Sequence, residues 1–110
     1  MTKILAAARI AVASRDAETI ETIRRAVAAK CSVTLLEMDS PRREKRVVFA
    51  RWLAIYLARC FTRSSLPDIG RAFGNRDHTT ILHAARKMAD YYEGHQTPGD
   101  LMETLGITVA

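Results

Sequence analysis

Ser65-Leu66-Pro67-Asp68-Ile69-Gly70-Arg71-Ala72-Phe73-Gly74-Asn75-Arg76-Asp77-His78-Thr79-Thr80-Ile81 is the stretch whose reading decides the fold. Its start has a hydroxyl at a cap position, proline in the first turn and an acid at the third position, a variant of the capping box that opens helices. Leu66, Ile69 and Phe73 then repeat at helical spacing, giving the inward face of a short helix. Gly74 stands where a left-handed residue stops that helix, and Asn75 also tolerates the conformation. Asp77 caps the next helix, its carboxylate placed to accept amide hydrogens three residues on. In that second helix Ile81, Ala85, Met88 and Tyr92 face inward, and Thr79, His83, Arg86 and Asp90 face outward. A short helix, a Gly-containing turn and a longer helix with a polar first turn make a helix-turn-helix plan.

Upstream, the chain also reads as helix. Val47, Ala50, Leu53, Ala54, Leu57 and Phe61 form the apolar stripe of a long helix ending near Phe61, with Arg51 and Arg59 off it. Before it, Ser40-Pro41 opens the cluster Arg42-Arg43-Glu44-Lys45-Arg46, which has the character of a mobile basic arm. Val33 to Met38 is a short apolar piece that fits a strand or a single helical turn, and its β-branched Val33 and Thr34 do not decide between them. Ile20, Ile23 and Val27 mark an amphipathic helix over roughly residues 16–30. The expected architecture is therefore all-α, a compact helical domain with a helix-turn-helix behind a long helix. Residues 1–15 are expected as an N-terminal extension, residues 16–93 as the domain, and residues 94–110 as a tail or short helix.

Composition narrows the function. The 110 residues are 48% hydrophobic and 26% charged, an ordinary globular balance for one small domain. No apolar run approaches a membrane span, and no G-x-x-x-x-G-K-[ST] loop occurs. Met1–Ala13 faintly resembles a signal peptide, but Arg9 interrupts the apolar stretch, and Leu5, Ala8 and Val12 suit one face of a short helix instead. Cys31 and Cys60 are too few for a disulfide scaffold or a Cys-rich zinc module, which predicts a cytoplasmic protein with unpaired thiols. Charge is asymmetric. Residues 41–89 hold eleven bases and three acids, a local +8, against −3 for the remainder and +5 overall. Such a basic middle, in a chain of pI near 9.7, points to a polyanionic partner.

The two signals converge on DNA. A helix-turn-helix lays its second helix in the major groove, where base edges present distinguishable donors and acceptors. Asp77 suits a cytosine amine, His78 and Thr79 donate or accept, and a threonine methyl packs on a thymine methyl. Arg76 before that turn and Lys87 after it are candidate phosphate partners. The simpler alternative is that Asp77 only caps and the threonines are ordinary first-turn residues. A basic arm beside such a helix fits an A·T-rich minor groove. Enzymatic constellations are lacking: His78 and His83 are five apart, one more than the spacing that puts two ligands on one helical face. Cys60 and His83 read as a buried thiol and a surface ring before they read as a catalytic pair, and Trp52 as core or rim packing before base stacking.

Those residues also carry a resemblance. The run from Ser65 to Gly74 followed by Arg76-Asp77-His78-Thr79-Thr80-Ile81-Leu82-His83-Ala84 resembles the C-terminal DNA-binding domain of the bacterial replication initiator DnaA. The similarity extends upstream through Arg51-x-x-Ala54-x-Tyr56-Leu57 and the pattern from Thr19 to Ala28, covering roughly residues 17–92. The resemblance implies an all-helical domain that binds double-stranded DNA at a short, asymmetric, A·T-rich site, the DnaA box. It implies a minor-groove role for Arg43 and major-groove roles for Asp77, His78 and Thr79. It places Arg51, Arg59, Leu66, Pro67, Thr80 and Lys87 on or beside backbone contacts. Asn75 departs from the family's usual second glycine, Trp52 is bulkier than usual, and Glu44 dilutes the arm beside Arg43. The family's ATPase module has no room here.

The reading is thus a monomeric box binder that modulates replication initiation or transcription. It has no catalytic residue, metal, cofactor, membrane or small-molecule substrate, and replication proteins are candidate partners. The alternative is an adaptor of the replication machinery that barely touches DNA, favoured if Thr79 proves dispensable while the apolar ends, such as Leu101–Ile107, prove essential.

Overall fold

Ile20, Ile23 and Val27 are buried on one face of the first helix, as their spacing predicts. The structure, a computed structural model, describes residues 2–108, with side chains from residue 15 to residue 108. Six helices follow in order among the described residues: α1 (Thr2–Lys30), α2 (Leu35–Asp39), α3 (Lys45–Phe61), α4 (Leu66–Ala72), α5 (His78–Tyr92) and α6 (Pro98–Thr104). There is no strand among them, and no helix is long and apolar enough to cross a membrane. The fold is all-α, as the periodicities indicate.

α1 is longer than the 16–30 segment, its backbone helical from Thr2 without a break at residue 15. The expected Leu5–Ala8–Val12 face lies outside the described side chains. The helix ends in a paired-bond cap: Ser32 takes positive φ, Ser32 N donates to the Ala29 carbonyl, and Val33 N donates to that of Ala28. The ambiguous piece after it is a helical turn. Thr34 accepts from Glu37 N while the Glu37 carboxylate accepts from Thr34 N, a reciprocal cap that commits residues 35–39 to α2.

α3 is the central element, packed against each of the other five helices. The expected stripe is buried, with Phe61 packed at its margin, and Ile55, Tyr56 and Ala58 are buried as well. Burial that reaches around the helix is the mark of a central strut. α4 and α5 cross on its other side, with Ile69, Phe73 and Ile81 fully buried between them and the rest of the core. Their junction has no space for a side chain at Gly70: a Cβ there would collide with the Arg76 carbonyl oxygen, whose own amide donates to the Gly70 carbonyl at 2.9 Å.

The C-terminal segment is part of the core. Thr97 and Asp100 form a reciprocal capping box with Pro98 in the first turn, and α6 buries Leu101 and Met102 against α3. Leu105 and Ile107 also pack on that core. The apolar end that the adaptor alternative requires as a docking surface is therefore largely covered by the chain's own helices.

Candidate nucleic-acid interface

The first turn of α5 is built to face outward. Asp77 is its cap and accepts from Thr80 N at 2.9 Å, a bond that holds the carboxyl below the usual aspartate range. His78, Thr79 and Thr80 follow, all exposed, while Ile81 turns into the core. Helical spacing continues the outward face through His83, Arg86, Lys87 and Asp90, all exposed. Ala84 is buried beside Ala85 and widens the inward face beyond the expected residues. Trp52 is half-buried, with its ring edge-on to His83 at 5.7 Å, so packing is its role in the structure.

At α4, the Ser65 hydroxyl accepts from Asp68 N at 3.2 Å, leaving Leu66 half-buried and Pro67 exposed at the helix start. The Asp68 carboxylate turns to Arg71 and does not complete a reciprocal box. The turn after α4 uses two left-handed residues, Gly74 at φ 76° and Asn75 at φ 58°, in the places where the sequence predicts them. Asn75 thus meets the conformational need that a second glycine would meet.

The basic arm differs from its expectation. Arg42 pairs with Glu37 at 3.1 Å and reaches Glu44 at 3.8 Å. Arg46 lies 3.6 Å from each of the same two carboxylates and donates to the Ser32 carbonyl. Two cap-position acids thus offset two of the arginines. Arg43 is exposed and has no hydrogen-bond or ion-pair partner among the described residues.

The segment is also tied to the core by two arginines. Arg51, expected off the buried stripe as a backbone contact, is 6% exposed. Its Nε donates to the Met38 carbonyl at 2.8 Å, and its Nη2 donates to those of Ser40 at 2.7 Å and Arg42 at 3.1 Å. Arg76, expected to take a phosphate, instead donates to the carbonyls of Phe73, Asp39 and Ser40. Burial pushes both guanidinium groups below the usual arginine value, with Asp39 opposing the shift. One reason accounts for both arrangements: the carbonyls of a short, irregular loop need donors, and these two side chains supply them. Arg59 and Lys87 remain exposed, without partners among the described residues.

One charged pair escaped the sequence reading. Arg24 is 5% exposed and forms a two-pronged bond to Asp39, at 2.6 and 2.8 Å, with its guanidinium 5.0 Å from the Phe73 ring centre. The available signal was position: Arg24 lies four residues after Ile20, on the apolar face of α1.

The result is a shared concavity. Asp39, Pro41, Arg43, Arg51, Gly74, Arg76 and Thr80 line one open groove of about 420 Å³. The unpaired arginine of the arm and the first turn of α5 therefore border the same groove.

A family profile described as "Bacterial dnaA protein helix-turn-helix" matches residues 20–88. The chain belongs to this DnaA family. Over 86 residues, 78% of its length, it is 49% identical to the chromosomal replication initiator protein DnaA of Bartonella quintana (strain Toulouse). Identity to proteins of the same description from Agrobacterium fabrum and Rhodopseudomonas palustris (strain TIE-1) is 46% over the same length. The match spans only 17–18% of those relatives' own length. The matched DnaA segment runs from the buried Ile20 to the buried Met88, so it contains α2–α5 up to the last core residue of α5 and the loop that bears Arg43.

Proposed function

We propose that this DnaA-family domain binds double-stranded DNA at a DnaA-box-like, A·T-rich site and modulates replication initiation or transcription without ATPase activity. In this reading His78, Thr79 and Asp77 contact base edges in the major groove from the exposed first turn of α5. Arg43 enters the adjacent minor groove, where a planar, always charged guanidinium fits the narrow A·T-rich channel. Thr80, Lys87 and Arg59 take phosphates, and the α4 start at Leu66 and Pro67 lies beside the flanking backbone contacts. The observation that carries the reading is the groove bordered by both Arg43 and Thr80: it sets the one unpaired arginine of the arm beside the polar start of α5. No catalytic residue or cofactor enters it. Burial of Leu101 and Met102 leaves the adaptor alternative little of the 101–107 segment to dock with.

The test is a titration of a DnaA-box duplex against a scrambled duplex of equal length at fixed salt. The box should bind more tightly, and Thr79→Ala should cost about 1–3 kcal/mol on the box alone, the usual worth of a good base contact. Equal affinity of the wild-type protein for both duplexes would sink the proposal.

A further inference from the structure

Arg43 can read a groove in register with α5 only if the loop that bears it is held at a fixed distance from that helix. That loop makes no regular hydrogen-bond ladder between Asp39 and Lys45. Besides the bonds from Arg51 to the Ser40 and Arg42 carbonyls, its position is set at Asp39. On one side the Asp39 carboxylate takes both prongs of Arg24, which is anchored on α1 and stacked over Phe73 of the helix-turn-helix. On the other side the Asp39 and Ser40 carbonyls accept from Arg76, the residue immediately before the cap of α5. Gly74 closes the contact, since a Cβ there would sit 2.5 Å from the Asp39 carbonyl oxygen. Loop, turn and α5 start are thereby joined at one acidic residue lying among three guanidinium groups.

We propose that Asp39, held by Arg24 and gripped through its backbone by Arg76, is a positioning residue that sets the spacing between Arg43 and the first turn of α5 and so determines A·T preference at the Arg43 end of the site. The inference rests on the DNA-binding reading above. Asp39 touches no DNA in it and acts through Arg43. A neutral amide at position 39 would offer Arg24 one acceptor oxygen where the carboxylate offers two, and would leave Glu21, 3.4 Å from the Arg24 Nε, as the one acid paired with the three guanidinium groups.

The experiment is a binding series of the full chain on DnaA-box duplexes with A·T→G·C changes walked across the site. Arg43→Lys marks the end that Arg43 reads. Asp39→Asn should weaken the A·T preference at that same end by about tenfold, the scale of one lost groove contact, and leave the Thr79 end unchanged. In an Arg43→Lys background, Asp39→Asn should change the preference no further, a coupling that general loosening would not produce. Should Asp39→Asn fail to fold, Arg24→Lys keeps the charge but loses the fork, and should relax the same end to a lesser degree. Preference retained at the Arg43 end in the folded variants, equal relaxation at both ends, or additive effects in the double variant each overturn the assignment. A wild-type protein that does not distinguish the box from a scrambled duplex overturns the DNA-binding reading itself. Loss of preference in Arg43→Lys with none in Asp39→Asn overturns only the role of Asp39.

Discussion

Arg51→Ala separates an internal clamp from a phosphate contact. Removing the side chain leaves four carbonyls without its hydrogen bonds, but not equally: that of Glu37, 3.5 Å from Nη2, keeps Ser40 N and Oγ. The Ser40 carbonyl keeps Arg76, and the Arg42 carbonyl belongs to an exposed residue that water can reach. The Met38 carbonyl belongs to a fully buried residue and loses the 2.8 Å bond from Nε. An unsatisfied buried acceptor costs about 1–3 kcal/mol, and a bond from a charged donor contributes about 1.5–3 kcal/mol. Relief of one desolvated charge offsets part of that, so the expected loss is about 2–3 kcal/mol. For a domain of this size that lowers the thermal midpoint by roughly 10 °C. Arg51→Lys should recover little, because one ammonium cannot span Met38 and Ser40 together. Lys87→Ala is the control: its midpoint should stay put, while the slope of log affinity against log salt falls in magnitude by about 0.9. Circular dichroism melts and salt titrations read both quantities. An unchanged midpoint in Arg51→Ala would refute the clamp and return Arg51 to the phosphate-facing set.

Met102→Ala should destabilise the chain by about 2–5 kcal/mol, measured by urea unfolding, since Met102 is core. A stable variant would put α6 back among candidate docking surfaces. Acid should destabilise through the capping carboxylates. The Asp77 carboxyl is held down by the Thr80 amide and that of Asp68 by the Ser65 hydroxyl and Arg71. A depressed folded pKa means the contribution is complete above the unfolded value of about 4 and is lost as pH falls below it. Asp77→Asn keeps a capping side chain but should flatten the fall of the thermal midpoint between about pH 5 and pH 2; a slope equal to wild type would remove Asp77 from that account.

What the sequence made legible was local. The α4–α5 unit rests on cap and turn residues within a few positions of each other, and Ser65, Gly74, Asn75 and Asp77 each adopt the expected role. α3 was legible because its stripe spans four turns. α6 carries a similar code, Thr97-Pro98 with Asp100, within the segment expected as a tail or short helix. The clamp was not legible, because its members are distant: Arg76 and Ser40 are 36 residues apart, and Arg24 and Asp39 are 15 apart. Periodicity places Arg24 on the apolar face of α1 but does not encode which acceptors an inward arginine meets. That depends on which carbonyls the fold leaves without partners, and those become known only once α1, α2 and the turn are packed.

The same point resets the electrostatics. Eleven bases between residues 41 and 89 suggest a strongly charged face. Arg51 and Arg76 are engaged with backbone carbonyls, and Arg42, Arg46 and Arg71 pair with acids. Arg43, Lys45, Arg59, Arg63, Arg86 and Lys87 are the six whose side chains have no partner among the described residues. If each of those six met a phosphate, the slope of log affinity against log salt would reach about −5, where eleven contacts would give about −10. A measured slope near −10 would mean that the internal arginines leave their carbonyls on binding. A slope no steeper than about −8, nine contacts at most, is what a preformed clamp requires, because Arg51 and Arg76, which hold the loop of Arg43 in place, cannot also neutralise the DNA backbone.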